Sequence, residues 1–161
     1  MPDTPPPRIG VLFVCMGNIC RSPLAEGVFL RKADERGAAE RFLVDSAGTG
    51  GWHAGQRADP RVREVAGRHG LTLTGTARQV RHDDFDRFDH LICMDDANVA
   101  DLLDRGAPPG RVRLLLEFDS GQSMREVPDP YYGGADGFEA LYAMIDSACE
   151  ALLVDLLGTA S

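Results

Sequence analysis

The sequence predicts an α/β protein in which a four-stranded parallel sheet, with strand order 2-1-3-4, carries helices on both faces. Short apolar runs of strand length alternate with longer segments of helical periodicity in the order βαβαβαβα. Each helical segment is long enough to form the crossover that joins two parallel strands. No segment repeats another, so these elements are expected to form one α/β unit.

Four apolar runs are the predicted strands. They are continuous rather than alternating, which is typical of strands that are buried on both faces of a sheet. The runs are Ile9–Val14, Phe42–Ser46, His90–Met94 and Val112–Leu116.

Four segments with helical periodicity are the predicted helices. Two of them begin with a predicted capping residue, Ser22 or Asp59, that is followed by proline, a pattern typical of a helix N-terminus. The predicted helices run from Ser22 to about Gly37, from Asp59 to Gly70, from Asp95 or Asp96 through Leu103, and from about Gly137 through Leu156.

The charge of the chain excludes one class of partner. Its 161 residues include 17 Lys and Arg against 25 Asp and Glu, a formal net charge of −8. A nucleic-acid-binding domain needs a basic face, so we expect no nucleic-acid partner. One group of carboxylates is interpreted as a solvated face; it comprises Asp83, Asp84, Asp86 and Asp89.

The chain carries no signal for a membrane. No apolar run reaches the 18 residues or so that a transmembrane helix requires, and the N-terminal MPDTPPP lacks the features of a secretory signal. We therefore expect a cytoplasmic monomer with no membrane partner. Residues 1–7 are predicted to be a mobile Pro-rich tail, and residues 8–158 a single domain.

The cysteines and histidines do not have the spacing of metal ligands. The one close cysteine pair has no second pair to complete a zinc site, so the sequence predicts no metal and reduced thiols. Cys93 and Cys149 lie in periodic apolar segments and are interpreted as core residues.

The segment between the first predicted strand and the following helix carries the candidate site. Unpaired amides at a strand end and a helix N-terminus form a ready anion site. Gly17 permits a tight turn, and Asn18 tolerates a left-handed backbone. The positive potential there favours a thiolate at Cys15, and Arg21 can bind two oxygens of a phosphate. The sequence therefore predicts a phosphate-binding loop with a nucleophilic thiol.

The fold brings a distant loop to the same edge of the sheet. Loops that follow parallel strands open at one edge, so the loop from Asp119 to Phe138 is expected to lie near Cys15. Asp129 stands in this loop before a proline, which restricts its backbone, although an ordinary turn is the alternative. Aromatic residues in polar loops are better explained by binding than by core packing; these are Trp52, Tyr131 and Tyr132.

The loop motif resembles that of the low-molecular-weight protein tyrosine phosphatases. The resemblance begins with Cys-x5-Arg-Ser inside Val-Cys-Met-Gly-Asn-Ile-Cys-Arg-Ser-Pro-Leu-Ala-Glu. A bare Cys-x5-Arg is a weak pattern, but its place after the first strand and the distant Asp-Pro-Tyr-Tyr make it specific. The resemblance covers nearly the whole chain and includes Asp45–Thr49, Trp52, Met94-Asp95, Asn98 and Asp129–Tyr132.

The resemblance implies a role for each candidate residue. Cys15 is expected to accept the phosphoryl group of a protein phosphotyrosine, Arg21 to hold its oxygens, and Asp129 to act as general acid and then as base. No cofactor is implied. The three aromatic residues would form the substrate pocket. The supporting phosphate loop would comprise Met16, Gly17, Asn18, Ile19, Cys20 and Ser22, with Ser22 donating a hydrogen bond to the Cys15 thiolate and Asn18 propping the loop.

Cys20 has two interpretations. In the family that the chain resembles, the cysteine at this position can form a reversible disulfide with the nucleophile, which implies a redox switch with Cys15. The alternative is a small residue packed against the core.

Three other functions stay open. A thiol-type arsenate reductase shares this loop, but it needs further reactive thiols, and the only candidate near the third strand is Cys93, inside it. A protein arginine phosphatase is similar, although a threonine is expected where this chain has Ile19. A non-catalytic phosphopeptide-binding module would be expected to lack either Cys15 or Asp129, and the chain has both.

Overall fold

Four parallel strands form the centre of the protein. The computed structural model describes residues 8–130 and 135–159. Within them the strands lie in the order β2-β1-β3-β4, which confirms the predicted sheet. The strands are β1 (Ile9–Cys15), β2 (Phe42–Gly48), β3 (His90–Cys93) and β4 (Val112–Leu114). The predicted tail at residues 1–7 lies outside the described residues.

Helices cover both faces of the sheet, as predicted. They are α1 (Arg21–Glu35), α2 (Pro60–Arg68), α3 (Asp84–Arg87), α4 (Asp96–Asp104) and α5 (Ala135–Thr159). Val11 and Phe13 of β1 pack in the layer that contains α1, α2 and α5. Leu12 and Val14, which alternate with them, pack in the layer that contains α3 and α4. None of the helices in the described part of the chain is long and apolar enough to cross a lipid bilayer.

The prediction that Ser22 caps the first long helix is wrong. Helix α1 begins at Arg21, and Cys20 occupies its N-cap position without a side-chain cap. The hydroxyl group of Ser22 is buried and lies 3.0 Å from the thiol of Cys15. The Ser22 side chain thus contacts Cys15 of the preceding strand instead of capping the helix.

The fourth strand is shorter than its apolar run suggested. It ends at Leu114, and a 3-10 helix follows over Leu115–Phe118. The Glu117 carboxylate accepts a hydrogen bond from the backbone N–H of Leu114 at 3.1 Å. This side-chain contact ends the strand before the apolar run ends.

The acidic group after residue 80 is only in part a solvated face. Asp84 is 1% exposed and forms two hydrogen bonds with the Arg78 guanidinium, at 2.9 and 3.0 Å. Burial would raise the pKa of Asp84, but hydrogen bonds from Arg78 and from the Arg81 backbone lower it. The solvated interpretation is therefore wrong for Asp84. It holds for the other carboxylates of the group, which are exposed.

Candidate active site

The loop that follows β1 surrounds a buried cysteine. Cys15 is the last residue of β1, is 2% exposed, and accepts a hydrogen bond at Sγ from the backbone N–H of Asn18 at 3.3 Å. Within the described chain, the backbone N–H groups of Gly17, Ile19 and Cys20 donate to no protein acceptor. Free amides beside a helix N-terminus are suited to bind an anion.

Asn18 holds this loop in shape. Its backbone has a φ of 58°, the only positive φ of a non-glycine residue in the described part of the chain. Such a conformation costs on the order of 1–3 kcal/mol and persists where other contacts impose it. The Asn18 Oδ1 atom accepts the backbone N–H of Arg78 at 3.0 Å. Because this bond fixes the orientation of the amide, Nδ2 donates to Ser22 Oγ at 2.8 Å and to Ser46 Oγ at 3.0 Å.

The Ser22 hydroxyl connects Asn18 to the thiol. Its oxygen accepts a hydrogen from Asn18 and lies 3.0 Å from Cys15 Sγ. When Cys15 is a thiolate, the sulfur has no proton to give, so the Ser22 hydroxyl is the donor. A hydrogen bond donated to sulfur stabilises negative charge there. The resemblance implied that Ser22 donates to the Cys15 thiolate, and the two side chains lie within hydrogen-bond distance.

A second branch of the network reaches a carboxylate. The Ser46 hydroxyl donates to Glu26 Oε1 at 2.6 Å. Burial raises the pKa of Glu26, and the nearby charge of Asp45 raises it further, while the Ser46 hydrogen bond and Arg78 oppose the rise. The network thus ends at a half-buried carboxylate whose ionisation is disfavoured by its partial burial.

Arg21 is oriented by two contacts. It is 3% exposed, and its Nη1 donates to Asp95 Oδ2 at 2.7 Å and to the backbone oxygen of Val127 at 3.0 Å. The Nη2 atom lies 3.9 Å from Asp129 Oδ2. Burial alone would lower the pKa of Arg21, but the negative groups at Cys15, Asp95 and Asp129 raise it. These contacts offset the unfavourable position of a cation at a helix N-terminus.

One cavity of about 320 Å³ brings most of the predicted residues together. Asn18 and Ser22 are not among its lining residues and are buried. Tyr131 and Tyr132 lie outside the described residues, so their placement stays a prediction. The lining residues are Cys15, Met16, Gly17, Ile19, Cys20, Arg21, Trp52, His53 and Asp129.

Trp52 lies at the mouth of the cavity and depends on a glycine. Its side chain is 72% exposed, and its indole ring lies against Gly50. A Cβ atom placed on Gly50 would lie 1.7 Å from a ring carbon of Trp52. Any side chain at position 50 would therefore displace the indole.

Sequence reasoning missed two contributors to the site. His53 lines the cavity, and its Nδ1 atom lies 3.0 Å from Gln56 Oε1. Asp95 caps α4, as one of the two predicted alternatives stated, but its other carboxylate oxygen also binds Arg21. Asp95 follows a predicted strand at the same edge of the sheet as Cys15, and this position could have identified it from the sequence. No feature of the sequence indicated His53.

The remaining thiols differ in their surroundings. Burial raises the pKa of Cys20 to about 12, and the charges of Asp59, Cys15 and Asp129 contribute. Cys20 is therefore a neutral thiol on the wall of the cavity. Burial also raises the pKa of Cys93 and Cys149, which lie in the core as predicted. The described residues contain no group of three or more His, Cys, Asp or Glu side chains that could hold a metal ion.

The fold and the loop define the class of protein. A parallel sheet whose first strand ends in Cys-x5-Arg, with a carboxylate facing the arginine, is the architecture of cysteine-dependent phosphatases. The family model described as low molecular weight phosphotyrosine protein phosphatase matches residues 10–160. The chain therefore belongs to this family.

Individual relatives agree with the family model. A low molecular weight protein-tyrosine-phosphatase of Streptomyces coelicolor is 45% identical over 150 residues, 89% of this chain and 90% of the relative. A crystal structure of a protein tyrosine phosphatase from Entamoeba histolytica has a TM-score of 0.90 at 38% identity and covers 95% of this chain and 99% of its own. A Drosophila arginine phosphatase has a TM-score of 0.84 at 32% identity and covers 91% and 96%.

Gly50→Ala tests the dependence of Trp52 on its neighbour. If Trp52 is a wall of the substrate pocket, as the sequence predicts, the displaced indole should raise KM for a phosphotyrosine peptide about two- to tenfold. The inhibition constant of inorganic phosphate should not change, because phosphate reaches only the loop. Gly67→Ala is the matched control, since a Cβ there meets no atom within 4 Å. A KM equal to that of the wild type would contradict the predicted role of Trp52 in the substrate pocket.

Glu26→Gln tests the carboxylate end of the network through the pH dependence of stability. A carboxyl group with a raised pKa in the folded state stabilises the protein most below its ordinary pKa of 4.5, and this contribution is lost as pH rises through the folded value. Glutamine carries no charge and can still accept the Ser46 hydrogen bond. The free energy of unfolding of the variant, relative to wild type, should therefore increase from acid to neutral pH in urea titrations. Glu35→Gln, on the exposed side of α1, controls for the loss of a charge, and a relative stability that falls with pH would contradict the assignment.

Proposed function

We propose that this chain hydrolyses phosphotyrosine in proteins through a cysteinyl-phosphate intermediate at Cys15, without a metal ion. The observation that supports this most is the placement of three groups around one cavity. Cys15 Sγ and Ser22 Oγ are hydrogen-bonded at 3.0 Å, and Arg21 Nη2 lies 3.9 Å from Asp129 Oδ2. A nucleophile, a phosphate-binding cation and a proton donor are the groups that this reaction requires.

The first step transfers the phosphoryl group to sulfur. The Cys15 thiolate attacks phosphorus while the bond from phosphorus to the tyrosine oxygen breaks. Arg21 and the amides of the loop hold the other phosphate oxygens and stabilise their charge. Asp129 gives its proton to the departing phenolate, so tyrosine leaves as a neutral phenol.

The second step releases phosphate. Asp129, now a carboxylate, takes a proton from water, and the resulting hydroxide attacks phosphorus as the bond to sulfur breaks. The electron pair returns to Cys15 as a thiolate. The Ser22 hydroxyl stabilises this leaving group through the same hydrogen bond that favours it in the first step.

The walls of the cavity support a tyrosine substrate. Trp52 and Met16 are exposed by 72% and 49% at the cavity that holds Cys15. Apolar walls of this kind favour a flat aromatic ring over the short side chain of phosphoserine. An arginine phosphatase shares the fold at 32% identity, so phosphoarginine is the alternative substrate that needs a direct test.

We also propose the setting in which the enzyme works. Residues 8–158 act as a single phosphatase domain, as a monomer in the cytoplasm, without a nucleic-acid or membrane partner. The net charge of −8 supports the absence of a polyanionic partner.

The function is tested by hydrolysis of three peptides, with phosphotyrosine, phosphoserine and phosphoarginine, in the presence of a metal chelator. The wild type should prefer phosphotyrosine, and Cys15→Ser should have no turnover but still bind vanadate. Asp129→Asn should slow phosphotyrosine turnover by about 10²–10⁴-fold, the usual contribution of general acid-base catalysis. Turnover by Cys15→Ser would show that Cys15 is not the nucleophile. A preference for the phosphoarginine peptide would show that phosphotyrosine is not the substrate. Arsenate-dependent oxidation of thiols by the wild type would favour the reductase.

We propose in addition that Cys20 protects the nucleophile from irreversible oxidation. Peroxide converts the Cys15 thiolate to a sulfenic acid and is itself reduced to water, and the Cys20 thiol then condenses with the sulfenic acid to form a disulfide and a second water. Both residues line one cavity, and the raised pKa of Cys20 keeps it a thiol, so Cys15 should react first.

A peroxide challenge of wild type and Cys20→Ser tests this role. Both proteins should lose activity at a similar rate, because the first oxidation occurs at Cys15. Dithiothreitol should restore the wild type fully and the variant less, since an unprotected sulfenic acid proceeds to irreversible forms. Cys149→Ser is the matched control. Equal recovery of all three proteins, or a disulfide mapped to Cys93, would contradict the proposal.

A further inference from the structure

Two consecutive aspartates stand where β3 meets α4. Asp95 caps α4 and binds the Arg21 guanidinium at 2.7 Å, which sets the phosphate-binding half of the site. Asp96, the first residue of α4, has no contact with Arg21 among the described hydrogen bonds and points to a different segment. That segment precedes Asp129.

Asp96 holds the segment before Asp129 by its side chain and by its backbone. The Asp96 carboxylate and the Arg125 guanidinium form three contacts, of 2.9, 3.1 and 3.3 Å. The backbone N–H of Asp96 donates to Glu126 Oε2 at 2.7 Å. A carboxylate at this position is favoured by the partial positive charge of the α4 N-terminus. We call these three residues the Asp96 clasp.

The clasp is connected to Asp129 by a stiff piece of chain. Val127 is fully buried, its N–H donates to the backbone oxygen of Met94 at 2.8 Å, and its own oxygen accepts from Arg21 at 3.0 Å. Asp129 follows two residues later and has a proline on each side. Prolines fix their own φ and restrict the residue before them, so the position of Asp129 follows from the direction in which the chain passes through Val127. The clasp holds the two residues that lead into Val127.

We propose that Asp96, acting through Arg125 and Glu126, positions Asp129 for proton transfer to the leaving group. The proposal rests on the proposed function, in which Asp129 is the general acid. The members of the clasp touch neither substrate nor the reacting atoms, so they are positioning residues. The turn between β3 and α4 thereby orients both halves of the site, with Asp95 serving Arg21 and Asp96 serving Asp129.

The exposure of the clasp sets the size of its effect. The side chains of Arg125 and Asp96 are 69% and 52% exposed, and an ion pair in water contributes little. Loss of the pair should therefore change the proton-transfer step by about two- to fivefold. The hydrogen bonds between the two groups lower the pKa of Asp96 and raise that of Arg125, so both stay charged at neutral pH. Salt is therefore the variable that weakens the clasp.

The test compares a substrate that needs the general acid with one that does not. Phenyl phosphate releases a basic phenolate, which needs the general acid, whereas dinitrophenyl phosphate releases an acidic phenol, which does not. The value of kcat/KM for phenyl phosphate divided by that for dinitrophenyl phosphate therefore measures the contribution of Asp129. Arg125→Ala should lower this ratio about two- to fivefold, and Arg125→Lys should restore part of it. Arg68→Ala, which removes an arginine of similar exposure paired with Glu64 and Glu139, should leave the ratio unchanged.

A double-variant cycle separates positioning from a general structural effect. In the Asp129→Asn background, Arg125→Ala should not lower the ratio further, since it acts through a group that is no longer there. Raising the salt concentration should bring the ratios of wild type and Arg125→Ala together.

Two failures can be told apart. If Asp129→Asn lowers the ratio and Arg125→Ala does not, or if Arg125→Ala lowers it equally in both backgrounds, the positioning role of the clasp is overturned. If Asp129→Asn itself leaves the ratio unchanged, the general-acid assignment in the proposed function fails first.

Discussion

The side-chain amide of Asn18 is the contact on which the rest of the site depends. Its oxygen is fixed by the backbone N–H of Arg78, and so its two hydrogens go to Ser22 and Ser46. The oxygen of Ser22 accepts from Asn18 and lies 3.0 Å from the Cys15 sulfur, to which its hydroxyl donates when Cys15 is a thiolate. The backbone N–H of Asn18 also donates to Cys15 Sγ, so four hydrogen-bonding partners hold this strained residue in place. Asn18 in turn fixes the conformation of the loop. A buried network of this kind is effective only when every member is satisfied.

The topology of the sheet brings to Arg21 the hydrogen-bonding partners that its own loop does not contain. Parallel strands end at one edge, and this brings Asp95 after β3 and Val127 before Asp129 to the same arginine, from 74 and 106 residues away. Arg21 is therefore oriented by the fold as a whole rather than by its own helix. Its burial is tolerated because negative groups surround it on several sides.

The sequence predicts those parts of the molecule whose signals are local. The strands follow from continuous apolar runs, and Cys15 and Arg21 from a spacing within one loop. Ser22 was misread as a helix cap because its stronger partner lies in the preceding strand. The burial of Asp84 depends on an arginine six residues earlier, whose orientation only the folded loop defines. The second role of Asp95 is likewise a contact between distant segments, which composition and periodicity do not encode.

The coupling between Asn18 and Ser22 can be measured by the rate at which iodoacetate alkylates Cys15 at neutral pH. Asn18→Gly removes the amide but keeps the left-handed backbone accessible, and Ser22→Ala removes the hydroxyl. If Asn18 directs the Ser22 proton to sulfur, Asn18→Gly will slow alkylation in the wild-type background and will have no further effect in Ser22→Ala. An equal slowing in both backgrounds would show that Asn18 acts on Cys15 independently of Ser22, which contradicts this account.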